Sequence, residues 1–143
     1  MTLKELYSLY YIEQEIEEYK LKLIELREMA ESISPTYTGL PRGGGISDKV
    51  GNGATAIVAY TEMLDKAIEA RVEQSMKINE FILSVDDAQI RQIMYLRFIK
   101  RLSWQAVAMR VGGNNTADSV RKRCSRYLRK IEKLSVLSDS KIV

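Results

Sequence analysis

The chain has 143 residues, 45% apolar and 29% charged, which fits one folded domain or two small ones and excludes a disordered tail protein. It contains no histidine and one cysteine, so a Ser-His-Asp triad, a histidine proton shuttle, a His-ligated zinc and an internal disulfide are all excluded. Its net charge of +3 conceals a split: residues 1–84 hold 9 Lys+Arg against 14 Asp+Glu, while residues 85–143 hold 13 against 5. An acidic half and a basic half imply separate jobs, the basic one suited to a polyanion.

In chain order, the first predicted element is a helix from about Thr2 to Ile33. Leu9, Ile12, Ile16, Tyr19, Leu23, Leu26, Ala30 and Ile33 recur at steps of three and four, the seam of a coiled coil. Thr2 and Glu5 have the spacing of a capping box. The tyrosines Tyr7, Tyr10, Tyr11 and Tyr19 read as a packing stripe. Ser34-Pro35 ends the helix, because the residue before proline is pushed out of the α region.

Residues 34–53, with two prolines and the Gly43-Gly44-Gly45 run, predict a loop between helices. The glycines follow Arg42 without a preceding strand or a Lys-Ser/Thr ending, so they are no nucleotide cradle. A secondary DNA or partner contact through Arg42 and Lys49 is the weaker alternative. Ser47 or Asp48 is the expected cap of a second long helix reaching Ser84, firm from about Ala54. Its seam runs through Val50, Ala54, Ile57, Thr61, Leu64, Ile68, Arg71, Ser75, Ile78 and Ile82. Two such seams predict an antiparallel hairpin over residues 1–84, able to self-associate through leftover apolar surface.

Residues 85–135 predict three shorter helices. Asp86 and Asp87 suit the start of the first, whose apolar face is Ile90, Ile93, Met94 and either Leu96 or Phe98. Ser103 caps the second, which turns Trp104, Val107, Ala108 and Val111 inward and stops at Gly112. Asn114, Asn115 or Thr116 caps the third, with Val120, Cys124, Tyr127, Ile131 and Leu134 as its core face. Residues 136–143 read as a disordered tail. The expected fold is therefore all-α: a long N-terminal helical hairpin followed by a trihelical helix-turn-helix domain.

The last helix carries no acidic residue between Arg121 and Lys130. A merely solvated face mixes signs, so this stripe implies contact with double-stranded DNA. Thr116, Asp118, Ser119 and Lys122, near the helix start, are the expected base readers, with Ser125 next and Asn115 beside them in the turn. Arg121, Arg123, Arg126, Arg129 and Lys130 are the expected phosphate contacts. No catalytic residue, metal or cofactor is expected, and no stretch of the sequence has the length and apolarity of a membrane span.

The strings MYLRFIKRLSWQAVAMRVGG and SVRKRCSRYLRKI resemble region 4 of sigma-70-type factors. Ser103, Trp104, Val107 and Ala108 match the scaffold helix of that region; Ser119, Val120, Arg121 and Arg123 match its recognition helix. The turn from Gly112 to Thr116 is longer than the usual sigma-type turn. The whole chain resembles the RinA- or ArpU-like late-gene regulators of phages and prophages of Gram-positive bacteria. That resemblance implies a phage-encoded transcriptional regulator, an activator of late genes, binding promoter DNA near the genes for packaging and assembly. A glutamate-rich start unlike a signal peptide adds the expectation of a protein in the cytoplasm of a bacterial host, and the hairpin seams that of a dimer or higher homo-oligomer. No sigma region 2 is present, so promoter melting is not implied. Two rival expectations stand beside it: a phage small terminase subunit marking viral DNA for packaging, and a module that docks on RNA polymerase without touching DNA.

Overall fold

The computed structural model describes residues 1–32 and 45–141, without the side chains of 45–52. Every regular element among them is helical: α1 (Leu3–Ser32), α2 (Gly45–Leu83), α3 (Ala88–Met94), α4 (Trp104–Val111) and α5 (Ala117–Asp139). The fold is all-α, as expected, and no described helix is long and apolar enough to cross a membrane.

The chain divides into two compact units, Ile12–Ala70 and a second that joins Met1–Tyr11 to Arg71–Val143. The first unit is the middle of the hairpin. Ile16, Leu23 and Ala67 are buried there, and Tyr19 lies against Tyr60 with ring centroids 6.2 Å apart. In the other unit Gln74 donates to the Glu5 carbonyl at 3.0 Å. Each unit thus holds a stretch of α1 against a stretch of α2.

Local chemistry explains where the helices begin. The Thr2 amide donates to Glu5 Oε2 at 2.5 Å and the Glu5 amide to Thr2 Oγ1 at 3.2 Å, closing the predicted capping box. These Thr2 hydrogen bonds, the backbone one foremost, hold the Glu5 carboxyl below its usual range. Asp87 caps α3 by accepting from the amides of Gln89 and Ile90. Ser103 caps α4 by accepting from Ala106, and Gly112 at φ 75° lets the chain leave it.

The core of the larger unit is one cluster. It gathers Leu6 and Leu9 of α1, Ile78 and Ile82 of α2, Val85, and the inner faces of the three later helices. Domain organisation here departs from the expected boundary near residue 84. The ends of the hairpin are walls of the trihelical core, because their apolar residues are what cover Ile93, Met94 and Phe98. The two candidates Leu96 and Phe98 are both buried. A π-helical turn, Tyr95–Ile99, follows α3 and carries both of these buried side chains. The Lys100 amide closes that turn on the Tyr95 carbonyl at 3.0 Å, and Arg101 then takes φ 57° to leave it.

Four further boundaries differ from expectation. The helix α2 already runs from Gly45, so residues 45–53 are helical, and Ser47 and Asp48 lie inside α2 where they cannot be its cap. The glycines there weaken a helix without forbidding it. Ala30 is exposed, whereas Leu6 extends the α1 seam one step earlier. On α5, Leu128 is buried and Leu134 is 54% exposed, since the core ends about one turn before the helix does. Residues 136–139, expected as tail, are helical because α5 continues to Asp139. Ile33, Arg42 and the loop residues 33–44 lie outside the described residues, as do the side chains of Lys49 and Val50.

Candidate nucleic-acid interface

The basic helix is held from within. Val120, Cys124 and Leu128 are buried, and Tyr127 and Ile131 are half-buried. Burial pushes the Cys124 thiol up to about 11, so it is an inert core group at neutral pH. With about 100° per residue, this inner face turns Lys122, Arg126 and Arg129 outward and puts Arg121 and Arg123 on the flanks. All five are exposed, as is Lys130.

The start of α5 is built by the turn. Asn115 Nδ2 donates to the Gly112 carbonyl at 2.9 Å, tying the turn to the end of α4. Thr116 is the N-cap: its Oγ1 accepts from the Ser119 amide at 3.1 Å, while its own amide donates to Ser119 Oγ at 2.8 Å. Ser119 Oγ also donates to the Thr116 carbonyl at 2.9 Å. Thr116 and Ser119, expected among the base readers, therefore also start the helix.

Asp118 sits one turn before two cations and pairs with both. Its carboxylate meets Arg121 Nη2 at 2.7 Å and Lys122 Nζ at 2.8 Å. The hydrogen bond from Lys122 first, and that from Arg121 second, hold its carboxyl below the usual aspartate range. Asp118 thus supplies an internal counter-charge to two cations of its own helix. Arg123 is hydrogen-bonded through Nη1 to Gln89 Oε1 of α3.

Between α5 and the start of α3 lies an open concavity of about 780 Å³. It brings together Asn115, Thr116, Asp118, Ser119, Lys122, Arg123, Arg126 and Lys130 from the expected set. Arg121 and Arg129 are exposed outside it, and Ser125 is half-buried outside it. Four lining residues escaped the sequence reading of the site: Asp86, Asp87, Ile90 and Tyr127. Partial burial, then the two aspartates, raises the Tyr127 phenol above its ordinary value. The aspartates were legible as a helix start; nothing in their spacing tells that α3 places them across from a basic wall. Four cations then face three carboxylates, so the concavity favours an anion while repelling one that approaches from the α3 side.

Among the described residues no cluster of three or more acidic or cysteine side chains is arranged to hold a metal ion. No family model, curated protein or solved structure matches the chain.

Removing the internal counter-charge has a defined consequence. Asp118→Asn frees Lys122 and Arg121 and is expected to raise affinity for random-sequence duplex several-fold. The salt dependence should steepen by about one released counter-ion. Affinity that is unchanged or lower on every sequence would show that Asp118 does not hold these cations back from phosphate.

Proposed function

We propose that this chain is a double-stranded DNA-binding transcriptional regulator whose α5 enters the major groove. The observation that carries the reading is the outer face of α5, where Lys122, Arg126 and Arg129 project with Arg121, Arg123 and Lys130 beside them, all exposed. Its start is aimed by the Thr116–Ser119 box at the end of a short turn from α4. A helix so presented can lie in a groove about 12 Å wide with cations near both phosphate rows. Lys122 is the base reader of this scheme, because it lies on the outer face within the first two turns. Arg126 and Arg129, further along, hold phosphates. The resemblance to sigma region 4 and to late-gene regulators of phages supports the same reading, including a role in late-gene activation in a bacterial cytoplasm.

Catalysis forms no part of this function, nor does a cofactor. The hairpin supplies self-association: Leu21, Ile24 and Met29 of α1 and Val58 and Met63 of α2 are exposed apolar residues on a two-helix unit with little core of its own. A dimer or small oligomer on one short site fits a regulator, whereas a ring of about eight or more copies would favour a small terminase subunit.

The decisive experiment is duplex binding as a function of salt. Six phosphate contacts predict a fall in affinity of about a thousand-fold as salt rises from 50 to 200 mM. Lys122→Ala should cost about ten-fold more on the selected site than on random duplex. Absence of duplex binding at low salt would leave the polymerase-docking alternative in its place.

A further inference from the structure

A second cavity, sharing no residue with the concavity on α5, has a volume of about 360 Å³. Its walls are Leu6, Tyr7, Tyr10 and Tyr11 of α1 together with Arg97, Phe98 and Arg101. No carboxylate lines it. Arg97 Nη1 donates to the Leu102 carbonyl at 2.9 Å and Nη2 to the Tyr7 hydroxyl at 3.2 Å. Its guanidinium carbon lies 4.7 Å from the centre of the Trp104 ring and 5.5 Å from that of Tyr7. Its Nε is buried and has no hydrogen-bond partner.

This is an unusual setting for a permanent charge. A guanidinium does not lose its proton, and Arg97 is half-buried among neutral partners, with no carboxylate within ion-pair distance among the described residues. The two rings offset part of the lost hydration, and an anion would offset the rest. The Tyr7 hydroxyl accepts from Arg97 and so keeps its own proton to donate. Arg97 and Tyr7 therefore offer donors, which suits a ligand rich in acceptor oxygens. Tyr10 and Tyr11 add two rings, 5.6 Å apart and edge to face, on the same wall. Two departures from regular backbone meet here, the π-helical turn that carries Arg97 and the left-handed Arg101.

We propose that this cavity binds a small phosphate ester carrying a flat ring, a nucleoside monophosphate being the simplest of the class. The phosphate meets the outer N–H groups of Arg97 with help from the Tyr7 O–H. The ring lies against Tyr10 and Tyr11. A volume of about 360 Å³ accommodates one such molecule and not an extended chain.

The only tryptophan of the chain, Trp104, is stacked on Arg97, so its emission reports directly on the guanidinium. The full chain is titrated with adenosine monophosphate, inorganic phosphate and adenosine in separate arms. A saturable emission change with the nucleotide is expected, with phosphate weaker by about ten-fold or more and adenosine silent. Tyr7→Phe keeps the ring against Phe98 and removes only the hydroxyl; it should weaken the nucleotide by about five- to ten-fold. Arg97→Lys should abolish the response, and Tyr7→Phe keeps the test open if that variant does not fold. Lack of saturation at millimolar nucleotide, an equal response to adenosine, or unchanged affinity in Tyr7→Phe would each overturn the proposal. So would displacement of the nucleotide by duplex DNA, which would make the cavity a backbone contact. A protein with Arg126→Glu and Arg129→Glu retains nucleotide binding on this account, which separates its fate from that of the DNA reading.

Discussion

Replacing Arg126 and Arg129 together by glutamate is expected to abolish duplex binding, by about a thousand-fold or more at moderate salt, and to leave the melting temperature essentially unchanged. Both side chains are exposed, and neither takes part in an ion pair or hydrogen bond among the described residues. The fold loses no ion pair or side-chain hydrogen bond when they change. A duplex would lose two attractions and gain two repulsions along the face proposed to lie over its phosphates. The matched control is Lys20→Glu with Lys22→Glu on α1, which alters net charge equally but on the acidic hairpin. Those lysines pair with Glu17 and Glu25 at 3.3 and 3.5 Å, exposed pairs of little energetic weight. Binding of the α5 variant within about three-fold of the parent, or an equal loss in the α1 control, would remove α5 from the interface. Melting curves recorded beside the binding isotherms keep misfolding from passing as lost affinity.

A fragment spanning residues 85–143 is expected to lack cooperative thermal unfolding, although sequence pattern draws a domain there. Cutting at residue 85 strips Leu6, Leu9, Ile78 and Ile82 from the cluster that covers Ile93, Met94 and Phe98. It also removes Tyr7, which packs edge-on against Phe98 with centroids 5.3 Å apart and accepts from Arg97. Truncating one buried leucine costs about 2–5 kcal/mol, against a total stability of about 5–15 kcal/mol for a domain. Losing four buried aliphatic residues at once costs about as much as the whole stability of a domain, although the three helices still pack on one another. Leu6→Ala in the full chain tests the same point more gently: Leu6 is 1% exposed, and its truncation should cost about 2–5 kcal/mol of global stability. Circular dichroism and denaturant melts read both effects. A fragment that melts cooperatively near the full-length temperature would restore the boundary at residue 84.

These two expectations rest on different kinds of legibility. Arg121 to Lys130 could be read as an outward stripe because Val120, Cys124 and Ile131 recur at helical spacing, and a helix turns what is not inward outward. The caps Thr2 and Ser103 were legible for a similar reason, since a capping hydrogen bond spans only two or three residues. The cap of α5 was legible only as a choice among Asn114, Asn115 and Thr116, and the closed box of Thr116 with Ser119 decides it.

What spacing could not carry were the partnerships between distant segments. Asp86 and Asp87 mark a helix start in any protein; that they stand across an open concavity from Lys122 and Arg126 depends on how α3 packs on α5. Helical spacing offers Leu96 and Phe98 as alternatives, two residues apart on nearly opposite sides; both are buried, because the packed cluster covers the π-helical turn on more than one side. The same turn sets Arg97 between Tyr7 and Trp104, residues of three different elements.

Local chemistry along the chain was enough for an all-helical fold, for most helix starts and for a basic outer face, because each depends on neighbours within one or two turns. Which residues share a core, where the compact units divide and what opposes the basic face were settled only on folding. Burial is a collective property: a leucine six residues from the start and a cysteine near the end become neighbours only when several helices exclude water together.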